Sequence, residues 1–505
     1  MFFYRKMNNS REDNRSERRE DNDNGFGWWT GLGAATAAIA GATYLFSRSN
    51  NSESSAGISH HRTQENSQER RTSYLHDLLE RVDINEENAV PATLMTRRNV
   101  SGDIPDNPVI NNLDSLLSDL YVRFIALRDD DFQLHYRVFN CIFSTIHKNM
   151  KEVDSYFNRY SSTAQAAGSH YDRLRIKKPD EFDMDIVIDL PLNMKEDRLS
   201  PGNSDVVLEP SSHGYIQLKM GTQYQMLPYR DDWQIHKTLY KWKDVDNYLL
   251  RDKFSDWFKG ITDKALNKFE KNNNYTIMVV DRITYIITTS KSGPAITLKI
   301  SDPVTDFKMS IDIVPALRFP EERWPVHSDY RDIPPGCSVG DYGWMVVPKP
   351  ASSGESSRSW RLALHNQERK LFYNTYNLRQ TVRYLKKLRD AQEMNEIASY
   401  YVKTLFFWEV IQQQSEERFW NQPLSKLFII MVKKFQQALA NRNIPYFWNK
   451  NHNLIDGVAP NVVAGYANKL KKLVVILDDP TRYKEVAIYL LTIDEYNSYK
   501  SILFK

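Results

Sequence analysis

Cysteine is almost missing from this chain. The 505 residues include two, Cys141 and Cys337. Two thiols exclude a disulfide scaffold and any zinc site of the Cys₄ or Cys₃His kind. They fit a reducing compartment, which predicts a cytoplasmic folded region. Net charge is nearly absent too: 67 Lys+Arg face 64 Asp+Glu, leaving +3. That balance alone argues neither for nor against a nucleic-acid partner. No internal repeat is present, so a solenoid is excluded. Long apolar runs are missing with one exception, which excludes a polytopic membrane protein. What remains is ordinary for a soluble chain, with 41% hydrophobic and 26% charged residues.

The charge is unevenly spread. Residues 1–110 carry 13 Lys+Arg against 16 Asp+Glu, so the rest of the chain holds a balance of +6. Residues 1–24 are polar, mixed in charge and too poor in apolar groups to fold. The one apolar run is 25–47, GFGWWTGLGAATAAIAGATYLFS, without a charged residue. As a helix rising 1.5 Å per residue it would cross a hydrocarbon core of about 30 Å. Trp28 and Trp29 at one end and Tyr44 at the other sit where interfacial aromatics belong. Residues 25–47 therefore predict a transmembrane anchor, with an apolar linker or partner-docking helix as the alternatives. Residues 48–110 return to Ser, Asn, Arg and Glu and predict a disordered linker.

From residue 111 the chain predicts an α+β fold. Apolar residues at a spacing of three and four over 111–157 predict one or two long amphipathic helices. EFDMDIVIDL, YTIMVVDRITYIITT, AITLKI and FKMSIDIVPAL predict strands, and beyond about 355 the periodicity is helical. The expected units are a core lobe over 111–355 and a helical lobe over 356–505.

The chemistry is densest in AAGSHYDRLRIKKPDEFDMDIVIDL, residues 166–190. In a strand, Phe182, Met184, Ile186 and Ile188 share one face, and Glu181, Asp183, Asp185 and Asp189 the other. Carboxylates this close repel unless cations neutralise them, and two divalent ions would. Gly168-Ser169, read as the end of a helix, could bring backbone amides and a hydroxyl against phosphate oxygens. A third carboxylate, Asp312, lies in the apolar strand FKMSIDIVPAL, where an isolated charge would be costly. A Gly-Ser turn, an acidic-x-acidic strand and a third Asp form the general signature of nucleotidyltransferases of the polymerase-beta type. Ribose hydroxyl attack on an α-phosphate, aided by two Mg²⁺ or Mn²⁺ ions, is the chemistry it serves.

Over roughly 115–460 the sequence resembles the cyclic GMP-AMP synthase and cyclic GMP-AMP synthase-like receptor family, with its male-abnormal developmental relatives. The resemblance rests on five blocks in order: GSHYDRLRIKKPDEFDMDIVIDL, PAITLKI with FKMSIDIVPAL, WMVVPKP, WRLALHNQERKLF and SYYVKTLFFWEV. It implies a bilobal nucleotidyltransferase fold with a long spine helix. It also implies that ATP and GTP are joined into a cyclic dinucleotide by an innate immune sensor. By position, Glu181, Asp183 and Asp312 would hold the metals, and Ser169 would touch phosphates. Arg361 would contact the acceptor base, Tyr400 would stack on a base, and Ser399 and Lys403 would meet donor phosphates. Glu368 falls where a nucleotide-contacting acid is found. Arg383 stands where the family often has Lys. His365 replaces a Ser of the vertebrate enzyme, and Ala167 replaces a hydroxyl residue.

No Cys lies between Arg361 and Lys403, so the vertebrate zinc thumb cannot form and the chain looks like the insect branch. Several members of that branch sense double-stranded RNA, the activator implied here. Lys148, Lys151, Arg159, Lys386, Lys387, Arg389, Lys433, Lys434, Lys469, Lys471 and Lys472 are candidate basic contacts, and ordinary surface charge is the other reading. Two alternatives remain: a membrane-anchored, non-catalytic adaptor like the mitochondrial dynamics proteins, and a developmental relative without turnover.

Overall fold

The computed structural model describes residues 108–505, apart from 196–203, 213, 274, 326–329, 341–342, 351–355, 374, 376 and 414–417. The segment 25–47 therefore lies outside the described residues. Among those described, no helix is long and apolar enough to cross a membrane.

The amphipathic region opens with helix α1 (Leu113–Leu120) and the spine helix α2 (Asp129–Val153). Along α2, Val138, Phe139, Ile142, Phe143, Ile146 and Met150 recur at helical spacing, and all are buried. They pack on the apolar face of a large sheet. Its strands in chain order are β1 (Ser161–Ala167), β2 (Glu181–Ile188), β3 (Val206–Pro210), β4 (Tyr215–Met220), β5 (Glu270–Asn272), β6 (Tyr275–Val280), β7 (Ile283–Ser292), β8 (Ala295–Ser301), β9 (Lys308–Phe319), β10 (Trp344–Val347) and β11 (Ser359–Ala363). The main path runs β3-β4-β11-β10-β9-β8-β7-β6-β5, with β2 lying parallel to β9 and β1 antiparallel to β2. Helix α3 (Arg251–Leu266) packs beside α2, adding Phe254, Phe258 and Ile261 to the core.

The alternation of β2 decides which face meets the helices. Phe182, Met184, Ile186 and Ile188 join the main core, and the Phe182 ring stacks on Phe139 at 4.4 Å between centroids. Burying each such side chain contributes about 1.5–3 kcal/mol. The opposite face carries the carboxylates and a small apolar cluster that includes Val187, Val314, Ala316, Met345 and Ala363.

The second lobe contains α4 (His365–Leu371), α5 (Leu378–Ala391), α6 (Ser399–Gln412), α7 (Leu424–Ala440), α8 (Pro460–Leu477) and α9 (Ile493–Leu503). A short hairpin of β12 (Pro445–Tyr446) and β13 (Asn449–Asn453) interrupts it. The sheet also runs past residue 355, because β11 pairs with both β4 and β10. Five residues are too few for their periodicity to reveal this, and the two neighbouring strands impose it.

One local expectation is corrected. Gly168-Ser169 does not end a helix. It follows strand β1 and opens a helical turn, Gly168–Tyr171. The alanine-rich run before it looks helical, but pairing of Thr163–Ala167 with β2 overrides that local preference.

Candidate active site

Strand register builds the site. Ala167 pairs with Asp183, Asp183 with Asp312, and Asp312 with Thr297, so four adjacent strands carry these residues in one row. Glu181 lies two residues before Asp183 on the same face of β2. One carboxylate oxygen from each of Glu181, Asp183 and Asp312 lies within 4.8 Å of the others.

The clustering tells on the two aspartates. Burial, then the charges of Glu181 and Asp312, hold the Asp183 carboxyl well above the usual carboxylate range, and Arg175 partly opposes them. Burial pushes Asp312 up to about 6, against the hydroxyl of Thr297, which donates to its Oδ1 at 2.6 Å. Clustered, desolvated carboxylates are what a divalent cation compensates, so the oxygen-only donor set fits Mg²⁺ or Mn²⁺. A protein cation borders the row. The Arg175 guanidinium bridges Asp180 and Glu181, and its Nε donates to the Lys178 carbonyl at 3.0 Å.

Gly168 lets the turn close over this row. Its φ is +86°, and a Cβ there would lie 1.6 Å from Asp183 Oδ2. Ser169 beside it is buried.

Helices α4 and α6 supply a second group. Lys403 Nζ donates to Asp172 Oδ2 at 2.7 Å and to Glu368 Oε2 at 3.4 Å. Burial would lower the Lys403 pKa, but Asp172 and Glu368 outweigh it and keep the ammonium charged. Glu368 also accepts from the Tyr400 hydroxyl at 2.6 Å and from Trp448 Nε1 at 3.1 Å. Ser399, Tyr400, Lys403 and Glu368 are all buried. His365, at the start of α4, is also buried, with Nε2 3.6 Å from Asp185 Oδ2. Burial, then the charge of Lys403, lowers it to about 3, so the ring is neutral.

Arg361 forms a third group. Its guanidinium lies 5.2 Å from the Tyr215 ring and 5.3 Å from the Tyr446 ring. Gly214, at φ +83°, admits it, since a Cβ there would meet Arg361 Nη1 at 2.2 Å. Nearby, burial and then the Arg361 charge lower Lys349 to about 6. Arg383 lies elsewhere, half-buried on α5, donating to the Tyr121 hydroxyl.

The basic cluster on α5 is corrected. Lys386 and Lys387 are buried, not displayed: Lys386 Nζ donates to the Leu174 carbonyl at 2.9 Å, and Lys387 pairs with Glu495. Tyr384 to Leu388 are all buried, so this turn of α5 is enclosed on every side: Leu385 and Leu388 join the main core, while the two lysines on the opposite side are covered by the Leu174 segment and by Glu495. Lys433 and Lys434 pair with Asp478 and Glu409. On α8, Lys471 and Lys472 are exposed.

Arg175, Asp172, Thr297, Gly214, Tyr215, Tyr446 and Trp448 escaped sequence reading. Only Arg175 left a signal, a cation six residues before the first metal-type acid.

A carboxylate row beside a glycine-serine turn, faced by a helical lobe, defines a nucleotidyltransferase. Residues 170–374 match the Mab-21 protein nucleotidyltransferase domain, and residues 377–472 match the Mab-21 protein HhH/H2TH-like domain. A cyclic GMP-AMP synthase-like receptor of Aethina tumida is 32% identical over 76% of this chain and 93% of the relative. One of Ctenocephalides felis is 29% identical over 77% and 89%, and one of Tribolium castaneum 29% over 77% and 94%. The chain belongs to the cyclic GMP-AMP synthase-like receptor family, within the Mab-21 nucleotidyltransferases.

Proposed function

We propose that the chain joins ATP and GTP into a cyclic dinucleotide of the cyclic GMP-AMP type as an innate immune sensor. The observation that carries this reading is the row of Glu181, Asp183 and Asp312 beneath Gly168. Those three carboxylates would hold two Mg²⁺ or Mn²⁺ ions. When bound, such ions lower the pKa of a coordinated hydroxyl and neutralise triphosphate charge.

The chain's own residues do the rest. The Gly168-Ser169 turn offers the Ser169 hydroxyl to the donor phosphates. Lys403 exchanges Asp172 for a phosphate oxygen, keeping its charge compensated, and Ser399 lies four residues before it on the same helix. Tyr400 supplies a ring to a base, with Glu368 orienting its hydroxyl. Arg361, framed by two tyrosines, presents its planar fork to the acceptor base. As the acceptor oxygen bonds to the α-phosphorus, its proton passes to Asp312 and pyrophosphate leaves. A second such transfer, with donor and acceptor nucleotides exchanged, releases a second pyrophosphate and closes the ring.

Double-stranded RNA is the proposed activator, meeting exposed lysines such as Lys471 and Lys472 on α8. Residues 25–47 are proposed to tether the enzyme to a membrane, leaving the catalytic region in the cytoplasm. Alkaline carbonate extraction tests the tether: the full chain should stay in the pellet, and release into the supernatant would dispose of it.

The test of the enzyme is product identity. Full-length chain is incubated with ATP, GTP, Mg²⁺ or Mn²⁺, and either double-stranded RNA or DNA, and products are weighed by mass spectrometry. A cyclic dinucleotide that Asp183→Asn no longer makes supports the reading. Nucleotide binding without product under every ligand would leave the non-catalytic adaptor instead.

A further inference from the structure

We propose that Glu495, on the C-terminal helix α9, is a positioning residue for the active centre, acting through Lys177 on the loop between the phosphate turn and β2. The inference rests on the reading that this centre transfers nucleotides. Helix α9 lies beyond residue 472, where the matched domains end.

The loop, residues 172–180, carries the centre's parts at both ends: Ser169 just before it and Glu181 just after. No regular secondary structure holds it. Arg173 and Lys177 have φ of 58° and 69°, a region non-glycine residues occupy only where surroundings compel them. The surroundings are identifiable. The Leu174 N–H donates to Ser169 O at 2.7 Å, and the Lys177 N–H to Ile125 O at 3.0 Å. The Leu174 carbonyl accepts from Lys386, and Arg175 clasps Asp180 and Glu181.

Lys403 holds Asp172 at the loop's start, and a further fastening crosses from the loop to the far end of the chain. Lys177 Nζ donates to Glu495 Oε1 at 2.9 Å. The other oxygen, Oε2, accepts from Lys387 Nζ at 2.5 Å and from the Thr492 N–H at 3.0 Å. The two lysines play different parts. Lys387 is 6% exposed and Glu495 11%, so this pair locks the carboxylate in place; Lys177 is 60% exposed, so its half can open. Helix α9 is itself a fixed base, capped by Thr492 and joined through the Tyr499 hydroxyl to Asp119 Oδ2 at 2.6 Å. A shift at Lys177 therefore reaches the metal-type ligand Glu181 through Arg175, two residues away, where ångström misplacement costs rate.

The experiment compares full-length wild type, Lys177→Gln, Lys177→Arg, Glu495→Gln and a control on the same helix, Lys500→Gln. Hydrogen exchange is read at the Leu174 and Lys177 amides, alongside steady-state kinetics. An exposed ion pair is worth up to about 1 kcal/mol, so Lys177→Gln should speed exchange there on the order of two- to fivefold. It should lower kcat while leaving KM for ATP and GTP within about twofold, because Arg361 and Tyr400 are off the loop. Lys177→Arg should behave as wild type. High salt should bring wild type towards Lys177→Gln, since exposed pairs are screened. Should Lys177→Gln match Lys500→Gln in both exchange and kcat, the proposal is overturned. If wild type turns over no nucleotide, the reading of the centre fails by itself, and the exchange arm still decides the tether. Glu495→Gln adds a check, since its loop must loosen at least as much as that of Lys177→Gln.

Discussion

Alanine in place of Gly168 should cripple turnover while leaving a folded protein. Its added Cβ would sit 1.6 Å from Asp183 Oδ2 and 2.6 Å from Cγ, whereas real Cβ contacts do not fall below 3.0 Å. The carboxylate oxygen must therefore retreat by roughly 1.4 Å, or the turn must open by as much. Misplacement on that scale is enough for about a hundredfold loss of rate. The backbone adds a smaller term, since a left-handed φ of +86° costs a residue with a Cβ about 1–2 kcal/mol. That cost lowers stability but leaves a domain of this size folded. The assay is initial turnover with ATP and GTP, together with thermal unfolding. Gly457→Ala is the control, because a Cβ there meets nothing within 4 Å. A folded Gly168→Ala protein with near-wild-type kcat would refute the reasoning, since the turn would then have no part in placing Asp183.

Three other outcomes are expected. Glu495→Gln leaves the buried Lys387 without its anion and should cost about 3 kcal/mol in urea unfolding at pH 7. Although burial opposes it, bonds from Lys387, Thr492 and Lys177 hold Glu495 at about 2, below its ordinary 4.5. Its contribution is thus complete above about pH 4.5 and is lost as pH falls towards 2, so the gap to wild type should close across that window; a gap independent of pH would contradict this. Gly214→Ala should drive Arg361 from between Tyr215 and Tyr446, raising KM for the acceptor nucleotide about tenfold with a smaller change in kcat. Arg175→Gln removes the cation that compensates Glu181, so Mn²⁺ should stabilise this variant more than wild type, by about 2 kcal/mol in thermal unfolding.

Much of the carboxylate row was legible because a strand's period is local. EFDMDIVI places Phe182 and Met184 opposite Glu181 and Asp183 whatever surrounds it, and helix α2 follows in the same way from 3–4 spacing. The apolar context of Asp312 likewise marked it as an acid with a purpose. What was not legible depends on partners distant in the chain. Register alone makes Asp183 and Asp312 neighbours, and Thr297 reaches Asp312 from a third strand. Lys386 and Lys387 read as surface charge because their partners, Leu174 and Glu495, lie 212 and 108 residues away. Gly168 read as a helix end because alanine-rich β1 has weak strand character of its own, and only pairing with β2 extends it. Arg361 showed its chemistry but not its frame, since Tyr215 and Tyr446 arrive from another strand and from the hairpin of the second lobe.

Nucleotide transfer at the row of Glu181, Asp183 and Asp312 leaves one product that can be counted. Pyrophosphate release measures it most directly, with full-length chain, ATP, GTP, Mn²⁺ and double-stranded RNA. Two pyrophosphates are expected for each cyclic dinucleotide formed, and none above background from Asp183→Asn or Asp312→Asn while nucleotide still binds. Equal release by wild type and both variants, or nucleotide binding by wild type with no release under RNA or DNA, would contradict it.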